Sequence, residues 1–184
     1  MKRLEVLTPE NAPEKSKAIF AELKSKYGML PNIYAVAGHS PQGLEGNLAY
    51  QGKLAEGVFS NEEIQTIYLA ASEANRCGYC LSAHTSALKM AGKSDEEIKE
   101  LRRGQSDNEK LQILSQLTQA IVHTRGLPDE HLVDAFFDAG YPKAALVELL
   151  GLVAVKTFTN YLNHLSGTPI DFPEVEPAGD YELV

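Results

Sequence analysis

Cys77 and Cys80 are the two cysteines of this 184-residue chain, and His84 follows one helical turn after the second. A disulfide across a two-residue loop gains little of the chain-entropy stabilisation that rewards a long one. The pair is therefore read as a redox-active dithiol. One thiolate attacks, and the second thiol resolves the first oxidation product into a disulfide. A free thiol with a pKa near 8.5 is mostly protonated at neutral pH, so the attacking cysteine needs a base or a cation beside it. His84, four residues after Cys80, can take that proton or stabilise the anion. Glu73, four residues before Cys77, can relay or orient the proton. Tyr79, between the cysteines, shapes the loop and covers the thiols. Zinc is the rival ligand, but structural zinc wants four ligands. Two thiols and one histidine stand close here, and there is no second pair of cysteines.

Two local structures present these groups. On one continuous helix the spacings of four, three and four put Glu73, Cys77, Cys80 and His84 on a single face. If the helix breaks at Asn75, that residue caps a new helix whose first turns hold both cysteines. The unpaired N–H groups and the helix dipole there favour a thiolate. The remaining histidines read as ordinary: His39 before a cap, His123 in a last helical turn, and His131 opening a short helix. His164 sits near the end of the long helix with Asn160, Tyr161 and Asn163. That polar group either lines the dithiol pocket or caps the helix end.

The elements that hold the dithiol are helical throughout. Pro13-Glu14 opens a helix that stops at Gly28. Ser40-Pro41 is an N-cap with proline at the first helical position, and its segment runs to Gly57. Ser60, Ser94 and Ser106 each stand three residues before a glutamate, the pattern of a capping box. The helix after Glu109 runs to Arg125 and stops at Gly126. A short helix spans about Asp129 to Gly140. The last begins at Pro142 and ends before Gly167. It is apolar nearly all round, so it is central or lies at a subunit contact. No segment alternates with period two. The chain reads as one all-α domain over 1–184, with about seven or eight helices, a core motif at 60–92 and a tail at 168–184. That tail packs along a neighbour or is loosely ordered.

A formal charge of −8 without a basic cluster argues against a nucleic-acid partner. No apolar run is read as a membrane span, and the Met1–Glu5 start is not a secretory signal. The expected location is the cytoplasm.

The segment Glu73-Ala74-Asn75-Arg76-Cys77-Gly78-Tyr79-Cys80-Leu81-Ser82-Ala83-His84-Thr85 resembles the core motif of AhpD-like alkylhydroperoxidases, within the carboxymuconolactone decarboxylase-like superfamily. Leu30-Pro31-Asn32-Ile33-Tyr34, Ser40-Pro41 and Thr168 to Pro173 are similar to its peroxidase-related branch. The resemblance implies an all-helical protein that assembles as homo-trimers or homo-hexamers. It implies no haem, flavin or metal. Hydroperoxides are reduced through the dithiol, and a thiol or an electron-donor protein then reduces the disulfide. It carries the family roles to Cys77, Cys80 and His84, with Cys80 attacking peroxide and Cys77 resolving and meeting the reductant, whereas helix-terminus reasoning favours Cys77 as the more exposed, attacking thiol. Where AhpD has a relay glutamate, twelve residues before the first cysteine, this chain has Gln65, which holds no titratable proton. Glu73 is the expected substitute. The leading function is a thiol-dependent peroxidase for organic hydroperoxides. The alternative, motivated by Gln65, is a protein disulfide adaptor or redox sensor with little peroxidase activity of its own. A third reading is an oligomeric module with a vestigial pair.

Overall fold

The computed structural model describes residues 4–177. The basic start at residues 1–3 and the last part of the tail, 178–184, lie outside the described residues. Within them the chain forms nine helices and no strand: α1 Glu14–Tyr27, α2 Asn32–Ala37, α3 Pro41–Leu54, α4 Asn61–Ala74, α5 Gly78–Met90, α6 Asp95–Arg102, α7 Glu109–Thr124, α8 Glu130–Asp138 and α9 Lys143–Ser166.

Local chemistry sets most of the boundaries. Ser60 and Ser94 make complete capping boxes, each hydroxyl accepting from the glutamate's N–H and each carboxylate accepting from the serine's N–H. Ser40 accepts from the Gly43 N–H, with Pro41 leading α3. The third box is corrected. Asn108 caps α7, its side chain accepting from Lys110 and Leu111, while the Ser106 hydroxyl accepts from the Asn108 N–H. The asparagine side chain reaches the first free N–H groups directly, so the helix starts two residues later than the serine pattern implies. Helix α2 adds a ninth element. It has six residues and no side-chain cap of its own. Its first N–H donates to Asp171 Oδ2, 139 residues away, a partner that local pattern cannot show.

α4 is the hub, packed against α5, α7 and α9. Its two faces serve two cores. Ile64, Ile67 and Tyr68 join α7, α8 and α9 around Phe136 and Leu149. Leu69 faces Leu81 and Leu88 of α5, Ile98 and Leu101 of α6, and Leu111 of α7. α9 has the length and mean hydropathy of a membrane-spanning helix, contrary to the expectation that no run comes near one, yet half of that stretch is buried inside the protein. It is a core helix. Gly151 lets it approach α3: a Cβ there would stand 2.6 Å from the Tyr50 hydroxyl.

The tail from Thr168 to Pro177 is a strap laid over α5 and α2. Asn32 donates to the Pro169 carbonyl, the Val175 N–H donates to Ser82 Oγ, and Arg102 donates to the Glu176 carbonyl. Ile170 and Phe172 pack against the cysteine cluster.

Candidate active site

The helix breaks at Asn75, but the next helix is capped by Cys77. The Arg76 N–H donates to the Glu73 carbonyl and the Cys77 N–H to the Ser72 carbonyl, with Arg76 in the left-handed region at φ 56°. This is a Schellman stop, whose left-handed position is usually glycine or asparagine. Asn75 is the C-cap of α4 and does not cap α5. Its side chain instead donates to Asn160 Oδ1 on α9 at 2.9 Å. Cys77 is the N-cap of α5, its sulfur accepting from the Cys80 N–H at 3.4 Å. The stop and the start share Cys77, so the dithiol occupies a sharp junction between two buried helices.

Both thiols are free and deeply buried, Cys77 at 1% and Cys80 at 3% exposure. They differ in what they face. A pocket of about 260 Å³ is lined by Cys80, His84, Gln65 and Lys156, and Cys77 is not in its wall. The rest of the lining is mostly apolar, with rings from Tyr27, Tyr34, Tyr68, Tyr79 and Phe172. Tyr79 covers the site: its hydroxyl accepts from the Ile33 N–H at 3.2 Å and its ring meets Phe172 edge-on.

His84 Nδ1 lies 2.9 Å from Gln65 Oε1. An amide oxygen only accepts, so Nδ1 carries the proton and Nε2 is left with its lone pair. The ring is also packed against Tyr68. Loss of hydration on burial, reinforced by the Lys156 charge, drives the His84 pKa well below its ordinary value, so the ring is neutral at pH 7. Gln65 thus orients the base and cannot take its proton. Glu73 lies elsewhere. Its carboxylate accepts from Arg102 Nε at 2.6 Å, and it is not in the pocket wall. The structure brings Cys77, Cys80, His84, Gln65 and Tyr79 together and sends Glu73 to α6.

Three groups near the sulfurs come from α9. Asn163 Nδ2 donates to Cys80 Sγ at 3.3 Å and contacts Cys77 Sγ at 3.7 Å. Asn160 is fully buried beside it and also acts on Cys80. Of the polar group at the end of the long helix, these two asparagines therefore serve the dithiol. His164, by contrast, is exposed and stacks on Tyr161. The third group, Lys156, is one that sequence reasoning misses. It is buried at 6%, and its ammonium sits 4.3 Å from the centre of the Tyr68 ring. Burial pushes its pKa down, and the cysteines push it back up.

These surroundings split the two thiols. Cys80 falls below the ordinary thiol value. The Cys77 thiol donating to it is the main cause, assisted by Lys156, Asn160 and Asn163 against the cost of burial. Cys77 is raised for the complementary reason, since it holds the shared proton and is itself buried. Among the described residues no group of three His, Cys, Asp or Glu side chains is placed to hold a metal ion.

Residues 41–108, from α3 to the cap of α7, match the carboxymuconolactone decarboxylase family, and they contain the dithiol, Gln65 and His84. Over that stretch the chain is similar to the carboxymuconolactone decarboxylase family. Solved structures with this fold extend the likeness to nearly the whole chain. An uncharacterized peroxidase-related protein from Ralstonia eutropha JMP134, with an alkylhydroperoxidase AhpD core, superposes with a TM-score of 0.81 at 20% identity, over 92% of each chain. A peroxidase-related protein from Silicibacter sp. TM1040 gives 0.77 at 18% identity, over 91% of this chain and 92% of that one. A variant of the debrominase Bmp8, solved in complex with 2,3,4-tribromopyrrole, gives 0.78 at 18% identity, over 93% of this chain and 92% of that one. No curated protein matches the sequence significantly.

Proposed function

We propose that this protein is an AhpD-like, thiol-dependent peroxidase that reduces organic hydroperoxides at Cys80. One observation carries the reading: Cys80, and not Cys77, faces the pocket, in a wall shared with a neutral His84 and a buried Lys156. His84 Nε2 takes a proton as the Cys80 thiolate forms. The thiolate sulfur bonds to the outer peroxide oxygen, the O–O bond breaks, and the electron pair leaves on the alkoxide. His84 returns its proton to give the alcohol. Lys156 offsets the negative charge on sulfur and then on the departing oxygen. Cys80 is now a sulfenic acid. Cys77 attacks it, an S–S bond forms, and the hydroxyl leaves as water with the proton from Cys77. Two thiols lose two electrons in all, and the peroxide gains them. The cycle starts from the dithiol, which suits a reducing compartment such as the cytoplasm.

The test is steady-state consumption of cumene hydroperoxide with dithiothreitol as donor. Cys80→Ser should lose activity by about a thousandfold or more, the scale set by removing a nucleophile. Equal rates in the variant and the wild type would end the proposal. The aromatic lining also suits a flat ring, and Bmp8 shares the fold, so the second reading is reductive dehalogenation of an aromatic. Faster turnover of 2,3,4-tribromopyrrole than of hydroperoxide in the same assay would move the substrate class there. The adaptor reading sits poorly with cysteines that are 1% and 3% exposed, because a protein disulfide must reach their sulfurs. We also propose a homo-oligomer, trimer or hexamer, built through the exposed side of α9.

A further inference from the structure

A disulfide that is made once per turnover must be reduced once per turnover. The attacking thiolate has to approach one sulfur in line with the S–S bond, so access decides the partner. Cys77 is shut off. It is 1% exposed, it is outside the pocket wall, and the strap lies over the start of α5. A Cβ on Gly78 would stand 3.9 Å from both Ile170 Cδ1 and the Val175 carbonyl. Val175 is hydrogen-bonded to Ser82 Oγ on α5, and Asp171 is tied to the N-terminus of α2. Cys80 faces the pocket. At about 260 Å³ that pocket is smaller than the roughly 300–1,000 Å³ of sites that enclose drug-sized ligands. The sulfur-bearing loop of a folded reductase does not fit it.

Resting on the peroxidase reading, we infer that the reductant is a low-molecular-weight thiol that enters by the substrate pocket and attacks Cys80 Sγ. Of the two donors the family resemblance implies, a thiol or a protein, this selects the thiol, and it moves the attack from Cys77 to Cys80. In the first exchange a thiolate RS⁻ bonds to Cys80 Sγ, the Cys77–Cys80 bond breaks, and the electron pair goes to Cys77. Its sulfur is received by the N-cap position of α5, where the Cys80 N–H already points at it, and it then takes a proton. In the second exchange another RS⁻ attacks the sulfur of the first, R–S–S–R departs, and Cys80 is released as the thiolate. Two small thiols are oxidised and the protein disulfide is reduced. Peroxide and reductant share one entrance, so they compete for it, and the enzyme should show the alternating kinetics of a single site that is oxidised and then reduced.

The experiment isolates the reductive half. The protein is oxidised with diamide and the return of two thiols is timed with dithiothreitol or with thioredoxin kept reduced by its reductase and NADPH. The expected result is dithiothreitol faster per mole than thioredoxin by about tenfold or more, the reverse of the order for an accessible disulfide. Ala87→Phe, which puts a ring into the pocket, should slow dithiothreitol about tenfold, and Phe172→Ala, which opens its wall, should speed it. Thioredoxin matching or beating dithiothreitol overturns the inference. So does an unchanged dithiothreitol rate in a folded Ala87→Phe protein. If thermal melting shows that variant unfolded, Phe172→Ala decides alone, and no acceleration there counts against the route. Failure of diamide to remove two thiols in the wild type would instead strike the dithiol reading on which the inference stands.

Discussion

Lys156 is the residue whose role is most specific to this site. A lysine loses hydration on burial and is tolerated when something negative answers it. Here the answering groups are the cysteine sulfurs. Lys156→Met keeps the length and apolar bulk and removes the charge. The thiolate of Cys80 should then form at higher pH, and its alkylation by iodoacetamide should slow by about tenfold on the acid side of the midpoint, equal to about 1.4 kcal/mol, and by less at neutral pH. Lys156→Arg should recover most of the rate. A rate-versus-pH curve distinguishes this from lost packing, since a purely structural role lowers the plateau and leaves the midpoint in place. The sign follows from the direction of the shift: Cys80 lies below the ordinary thiol value, so the wild-type rate should already level off on the acid side of it. Cys77, Cys80 and His84 are legible in the sequence because three- and four-residue spacings can be read locally. Lys156 is not, because it lies 76 positions after Cys80 in a helix whose composition signals core. Glu73 is misplaced beside the thiols because helical register assumes that the helix continues.

At the scale of elements the same boundary explains what is legible. Ser60 and Ser94 are readable because cap and partner lie three residues apart, and each such cap is worth about 0.5–2 kcal/mol. Ser106 has the same spacing and loses to Asn108, whose shorter reach satisfies two N–H groups. The α4–α5 junction is half legible. A break at Asn75 is one of two readings the sequence leaves open, and its form depends on Arg76 taking a left-handed conformation that arginine seldom adopts, and on Asn75 being drawn to Asn160 across to α9. Once α4 stops there, the register of Glu73 is cut from that of Cys80. Glu73 turns to Arg102, and that pair ties α4 to α6 and, through the Glu176 carbonyl, to the strap. The strap itself carries no period to read. Its order comes from single polar contacts with Asn32, Ser82 and Arg102, each far away in sequence.

At the scale of the whole molecule, α9 has two sides with different duties. Its buried side supplies Lys156, Asn160 and Asn163 to the site. Its outer side exposes Val147, Leu150, Phe158, Tyr161 and Leu165, with Ala154 between them. Spacings of three and four put these on one row about 27 Å long at 1.5 Å per residue. An apolar row of this kind on a helix that also walls the pocket fits self-association. Sedimentation of the wild type should give a mass that is a multiple of the 20.1 kDa chain, and Leu150→Glu with Phe158→Glu should shift it to the monomer. A monomeric wild type would contradict the assembly and leave the chemistry of the pocket untouched. The central claim, that the pocket-facing Cys80 attacks peroxide and Cys77 resolves, is tested most directly by adding one equivalent of cumene hydroperoxide to single-cysteine proteins and trapping sulfenic acid with dimedone for mass spectrometry. A dimedone adduct is expected on Cys80 in the Cys77→Ser protein and essentially none on Cys77 in the Cys80→Ser protein. An adduct on Cys77 of equal or greater yield would contradict it.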